Sequence, residues 1–144
     1  MSQPLRHPPL SNTRTLLRCL LPLAIILVVT TWPWRFQDHS HWASVEWLPF
    51  TKYRRPGDWI ANIGLFIPLG VAYAWGGTAR RRVREAVLLG LGVSLAVELA
   101  QVFTHGRAPT VADVIANGLG TWAGARWAIA PRRRRAPAAT TSPT

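Results

Sequence analysis

The chain has 144 residues, of which 49% are hydrophobic and only 16% charged; its 17 Lys+Arg against 6 Asp+Glu give a net charge of +11. Soluble domains carry about a quarter charged residues, whereas here the apolar residues fall in long blocks with arginines clustered between them. That segregation excludes wholesale disorder and argues against a soluble basic domain that binds nucleic acid.

Crossing a bilayer takes about 20 residues of helix, and four blocks reach that length. The first runs from about Thr15 to Trp34 and contains LLPLAIILVVTTW. No small-x-small cleavage site follows it, and the Trp32-Pro33-Trp34 end is of the kind that settles at a headgroup region, so it reads as a retained span. Cys19 reads as a small apolar filler, and a lone cysteine makes no intrachain disulfide.

A loop from about Arg35 to Gly57 follows, with Phe36, Trp42, Trp47, Phe50 and Tyr53. Such amphipathic rings are expected to lie along the membrane surface. Asp38, His39 and His41 read as solvated loop residues; the cluster lacks distant partners for a metal. The second span, about Asp58 to Gly76, carries Asp58, Asn62 and Pro68. The third, Val83 to Phe103, is strongly apolar, and the fourth, Val111 to Ala130, carries Asp113, Asn117 and Arg126.

The expected fold is all-α, an integral membrane bundle of four transmembrane helices over residues 15–130. A tail at 1–14 precedes it, and a basic, Pro/Ala/Thr-rich disordered tail follows at 131–144. Four spans put Arg6, Arg14, Arg18, Arg80, Arg81, Arg82, Arg84, Arg126 and Arg132 to Arg135 on one side, twelve basic residues in all. The other side has five, Arg35, Lys52, Arg54, Arg55 and Arg107. Basic loops stay in the cytoplasm, so both termini are placed there. The arginine clusters then read as topology signals and contacts to anionic lipid.

The acids carry the functional information. Asp58-Trp59-Ile60-Ala61-Asn62 opens the second span and Asp113-Val114-Ile115-Ala116-Asn117 the fourth. In each, Asp and Asn are four apart on one helix face, at the same outer depth, as two hairpins related by an approximate parallel repeat would place them. Glu98 lies inside the third span, about 7–8 Å below its outer end by helical rise, with Gln101 on the same face. A carboxylate at that depth must be protonated, hydrated or paired, and Arg107 in the following turn can reach Glu98 or Asp113 as a planar fork.

These residues predict one polar cluster just inside the outer surface: Asp58, Asn62, Glu98, Gln101, Arg107, Asp113 and Asn117. Plainer roles exist for four of them. Asp58 can cap its helix, Thr110-Val111-Ala112-Asp113 resembles a capping box, and Asn62 and Asn117 can be interhelical glue. Gly64, Gly70, Gly90, Gly92, Gly118, Gly120 and Gly124 permit close helix packing, Gly120-x-x-x-Gly124 as a small-residue contact motif.

Leu48-Pro49-Phe50 and Asn62-Ile63-Gly64-Leu65-Phe66-Ile67-Pro68-Leu69-Gly70 resemble the PF…N-x-x-x-F-x-P-x-G signature of VanZ-like membrane proteins. Glu98, Gln101, Arg107, Asp113, Asn117, Gly118 and Gly120 continue the resemblance in order over about residues 45–130. It implies a multi-pass protein of the bacterial cytoplasmic membrane and cell envelope. The family's named member is associated with low-level resistance to the glycopeptide teicoplanin, so a contribution to such resistance is an inherited expectation.

Two function classes follow. One is a non-catalytic envelope protein whose outer polar pocket binds a lipid headgroup, a cell-wall precursor or an envelope protein. The other is a small membrane enzyme or carrier acting on a lipid-linked envelope precursor, with Glu98 or Asp113 as base and Arg107 holding an anionic group. No nucleophile–base pair, metal-ligand spacing or phosphate loop supports a reaction. The first class is therefore preferred, with no catalytic residue, cofactor or metal assigned.

Overall fold

The computed structural model of the chain describes residues 10–32, 35–48, 56–76, 80–104 and 109–129. They form four α-helices: α1 (Leu10–Thr31), α2 (Pro56–Ala74), α3 (Arg80–Gln101) and α4 (Val111–Ile129). A 3-10 turn at Trp42–Ser44 lies between α1 and α2, and no strand occurs among the described residues. The all-α expectation is met, with each helix at one of the four apolar blocks. The terminal tail after Ala130 lies outside the described residues.

Local chemistry sets the helix ends. Pro56 opens α2, where a missing N–H costs nothing, and Asp58 in its first turn faces the positive end of the helix dipole. Gly76, at φ 76°, takes the left-handed conformation that stops the chain after α2. The first helix ends at Thr31, short of the expected Trp34, because a residue preceding proline, here Trp32 before Pro33, avoids helical backbone.

Among the described residues, one helix is by length and composition apolar enough to cross a membrane: Thr13–Thr31, with mean hydropathy 1.8 and 11% of that stretch buried. It joins the bundle by a narrow stripe. Cys19 and Ile26 are buried seven residues apart, with Leu23 packed between them against Phe66, Leu69 and Val97. Leu16, Leu17, Leu20, Leu21, Val28 and Val29 face outward.

The closest packing in the bundle is between α2 and α4, with α3 next against α4, while α1 lies against α2 and α3 and, among the described residues, does not reach α4. Asn62 meets Asp113, while Ile63 faces Gly120 and Ile67 faces Gly124, so α2 and α4 run parallel. Glu98 bonds at Thr110, Ser94 meets Asn117 and Gly90 faces Thr121, so α3 is antiparallel to α4. The buried face of α4 consists of small and polar residues, Ala112, Asp113, Ala116, Asn117, Gly120, Thr121, Gly124 and Ala125. A Cβ at Gly120 or Gly124 would run into the backbone carbonyls of Ile63 and Ile67, and one at Gly70 into that of Thr121. These glycines let two backbones touch. Gly64 and Gly92, by contrast, have open space where a Cβ would lie.

Alongside an apolar core, the bundle buries several polar side chains while leaving many large apolar ones exposed. Ser94, Glu98, Gln101, Asp113, Asn117 and Thr121 are buried, while Ile60, Leu88, Leu95, Leu99, Leu119, Trp122 and Trp127 are exposed. At one end sit Glu98 and Asp113, the polar end. At the other, the arginine end, Arg18 Nη1 donates to the carbonyl of Trp75 at 3.2 Å and ties α1 to the last turn of α2.

Candidate functional site: a buried polar cluster

The cluster is organised around the start of α4. Thr110 caps that helix, its Oγ1 accepting the backbone N–H of Asp113 at 3.1 Å. In a full capping box the third helical residue would reach back to the cap's own N–H. Here that N–H donates to Glu98 Oε2 of α3 at 2.8 Å, while Asp113 Oδ1 accepts from Asn62 Nδ2 of α2 at 2.8 Å. Aspartate is one methylene shorter than the usual glutamate, and an acid from the neighbouring helix completes the cap. Two carboxylates that a single-helix reading treats separately thus bind three helices together.

One turn deeper, Asn117 Nδ2 donates to Ser94 Oγ at 2.8 Å, and the Asn117 carbonyl accepts from Thr121 Oγ1 at 2.9 Å. Asn117 is only 4% exposed, and its side-chain oxygen Oδ1 has no hydrogen-bond donor among the described residues. Leaving a buried acceptor unmet costs about 1–3 kcal/mol, so this oxygen is a place where a bound donor would be rewarded. Glu98 and Asp113 are each 8% exposed.

Of the seven expected members, the structure brings Asn62, Glu98, Asp113 and Asn117 together along the α4 seam. Gln101 is buried at the same end but turns to α1, donating to the carbonyl of Thr30 at 3.0 Å. Asp58 does not join them: it stands exposed in the first turn of α2, where the helix dipole accounts for it. Arg107 lies outside the described residues. The two DxIAN strings therefore occupy unlike environments: Asp113 lies on the buried face of α4, whereas Asp58 stands exposed in the first turn of α2.

Sequence reasoning missed Ser94, Thr30 and Glu46. Ser94 carried a signal, since it lies four residues before Glu98 on the same face of α3. Thr30 and Glu46 contribute backbone atoms and carried none. Glu46 exchanges backbone hydrogen bonds with the segment leading into α4, its N–H donating to Pro109 at 2.9 Å and its carbonyl accepting from Val111 at 3.2 Å. Gln37 and His41 donate likewise to Phe103 and Val102, both at 2.9 Å. Residues 35–48 are thereby laid across the ends of α3 and α4, over the cluster. His41 Nε2 pairs with Gln37 Oε1 at 2.6 Å, and His39 meets the His41 ring edge-on at 4.9 Å.

The VanZ/LLP1 family model matches residues 15–131. The chain belongs to that family. No curated protein and no solved structure matches it. In this VanZ/LLP1 chain the N-x-x-x-F-x-P-x-G residues of α2 divide by role. Asn62 holds Asp113, Phe66 is fully buried against α1 and α3, and Gly70 admits the α4 backbone. The signature is thus largely the face of α2 that builds the cluster and its support.

Proposed function

We propose that this VanZ-like protein is a multi-pass integral protein of the bacterial cytoplasmic membrane, with four spans, both termini in the cytoplasm and the polar end in the outer leaflet. In this reading it is non-catalytic and binds a lipid or cell-wall-related ligand at the cluster, which connects it to glycopeptide resistance of the teicoplanin type. The supporting observation is the pairing of two carboxylates and an unmet amide oxygen buried at one end with a perimeter of exposed leucine, isoleucine and tryptophan. Acids inside a bilayer-sized helix are expensive and are kept for function.

The cluster is rich in acceptors: Glu98, Asp113 and the Asn117 oxygen. Ligands that bring donors, such as sugar hydroxyls or an ammonium headgroup, suit it better than a bare anion. Arg107 adds a candidate fork for a phosphate carried by the same ligand.

Two experiments test the reading. In a host made sensitive to glycopeptides, Glu98→Gln and Arg107→Ala are expected to reduce any protection while leaving expression intact; full protection by both variants contradicts a functional cluster. For topology, an Arg134→Cys variant in intact cells is expected to resist membrane-impermeant thiol reagents, and labelling from outside overturns the cytoplasmic placement of the C-terminus.

A further inference from the structure

At the arginine end, opposite the polar cluster, α3 and α4 line an open surface groove of about 480 Å³ that the proposed function leaves unused. Its rim carries three arginines, Arg80 and Arg84 from the first turns of α3 and Arg126 from the last turn of α4. Its wall is apolar, with Val83, Val87 and Trp122.

The arginines of α3 divide into two pairs. Arg81 Nε bonds Glu85 at 2.7 Å, and Arg82 donates to the carbonyl of Tyr73 at 3.5 Å, so these two are engaged within the protein. Glu85 also accepts from Tyr73 Oη at 3.3 Å and is committed to that face. Arg80, Arg84 and Arg126 have no ion-pair partner among the described residues. The first turn of α3 contains no acid either, so the positive end of its dipole adds to the charge of Arg80 and Arg84. Three guanidinium groups from two helices thus line one groove that no carboxylate among the described residues neutralises.

We infer that this groove is a binding site for the phosphodiester headgroup of an anionic glycerophospholipid, with an acyl chain lying along Val83, Val87 and Trp122. Guanidinium forks match phosphate oxygens in pairs, and basic recesses between helices at the cytoplasmic surface take such headgroups. The apolar wall selects a lipid over free phosphate, because a soluble ion leaves that surface uncovered. The inference rests on the proposed embedding of the bundle in a bilayer.

The test uses the full chain purified in detergent and exposed to equal amounts of cardiolipin, phosphatidylglycerol and phosphatidylcholine, with retained lipids counted by native mass spectrometry. The wild-type chain is expected to keep the two anionic lipids in preference to phosphatidylcholine. With each arginine near a membrane surface contributing attraction to anionic lipid, the triple variant Arg80→Gln/Arg84→Gln/Arg126→Gln is expected to lose that retention by at least about tenfold. A variant in which three arginines of the Arg132 to Arg135 run become glutamine has the same net charge and is expected to retain it.

Arg84→Glu alone, a single exposed change whose helix content is checked by circular dichroism, is expected to give at least about a threefold loss. Equal loss in the groove and tail variants, or no loss in the groove variants, overturns the site. A chain that alkaline carbonate strips from membranes contradicts the embedding, whereas one that stays embedded without anionic preference contradicts this site alone.

Discussion

Gly124→Ala is expected to destabilise the bundle by about 3 kcal/mol, at the upper end of the cost of overpacking. The added methyl meets the backbone carbonyl of Ile67 on α2. A side chain in that position could rotate aside, but a helix backbone cannot. The α2 and α4 axes must separate, and the other close approaches along the seam, at Gly120 and Gly70, are lost with them. Gly64→Ala serves as the control, since nothing lies within 4 Å of its Cβ position. Alanine there is expected to stabilise, by up to about 1 kcal/mol from helix propensity. Thermal unfolding of the full chain in detergent, followed by circular dichroism, reads both. Equal shifts in the two variants would contradict the close α2–α4 contact.

Glu98 is expected to separate stability from function. Glu98→Ala removes the acceptor of the Thr110 N–H, the link that completes the α4 cap from α3. A buried donor left unmet costs about 1–3 kcal/mol, so this variant should unfold at a clearly lower temperature. Glu98→Gln retains an acceptor oxygen of nearly the same reach and should unfold within about 1 kcal/mol of the wild type, because a neutral hydrogen bond replaces a charge-assisted one. A destabilisation by glutamine as large as that by alanine would show that the negative charge itself holds the α3–α4 junction.

Much of this fold is legible in the sequence. The blocks from Thr15, Asp58, Val83 and Val111 each correspond to a helix, since apolar runs of that length are too long for ordinary strands. Their ends are less legible: α3 begins at Arg80 because arginine is a good helix former whatever its charge pattern. The importance of α4 is the least visible feature. Its buried face is built of glycine, alanine, threonine, asparagine and Asp113, with no large apolar side chain to mark it, yet those small side chains are what let the α2 backbone approach so closely.

The cluster is legible to a similar degree. Helical spacing places Asn62, Glu98, Asp113 and Asn117 toward one end of their helices but does not say which helices are neighbours, so the Asn62–Asp113 pair and the role of Glu98 in the α4 cap come only from the structure. The echo of Asp113 groups Asp58 with them, and a shared motif carries no information about which copy is buried. The segment 35–48 is read from its aromatic rings, whereas its attachment to α3 and α4 runs through backbone atoms that leave no mark on side-chain choice.

The central claim is that the buried acceptors of Glu98, Asp113 and Asn117 hold a ligand as well as the fold. The most direct measurement is saturable binding of a lipid-linked cell-wall precursor to the full chain reconstituted in vesicles, comparing the wild type with Glu98→Gln at matched unfolding temperature. The predicted result is saturable binding that weakens at least about tenfold in the variant, in keeping with loss of a charge-assisted hydrogen bond. Equal binding by the two chains, or none by the wild type, would contradict it and leave the cluster as interhelical structure alone.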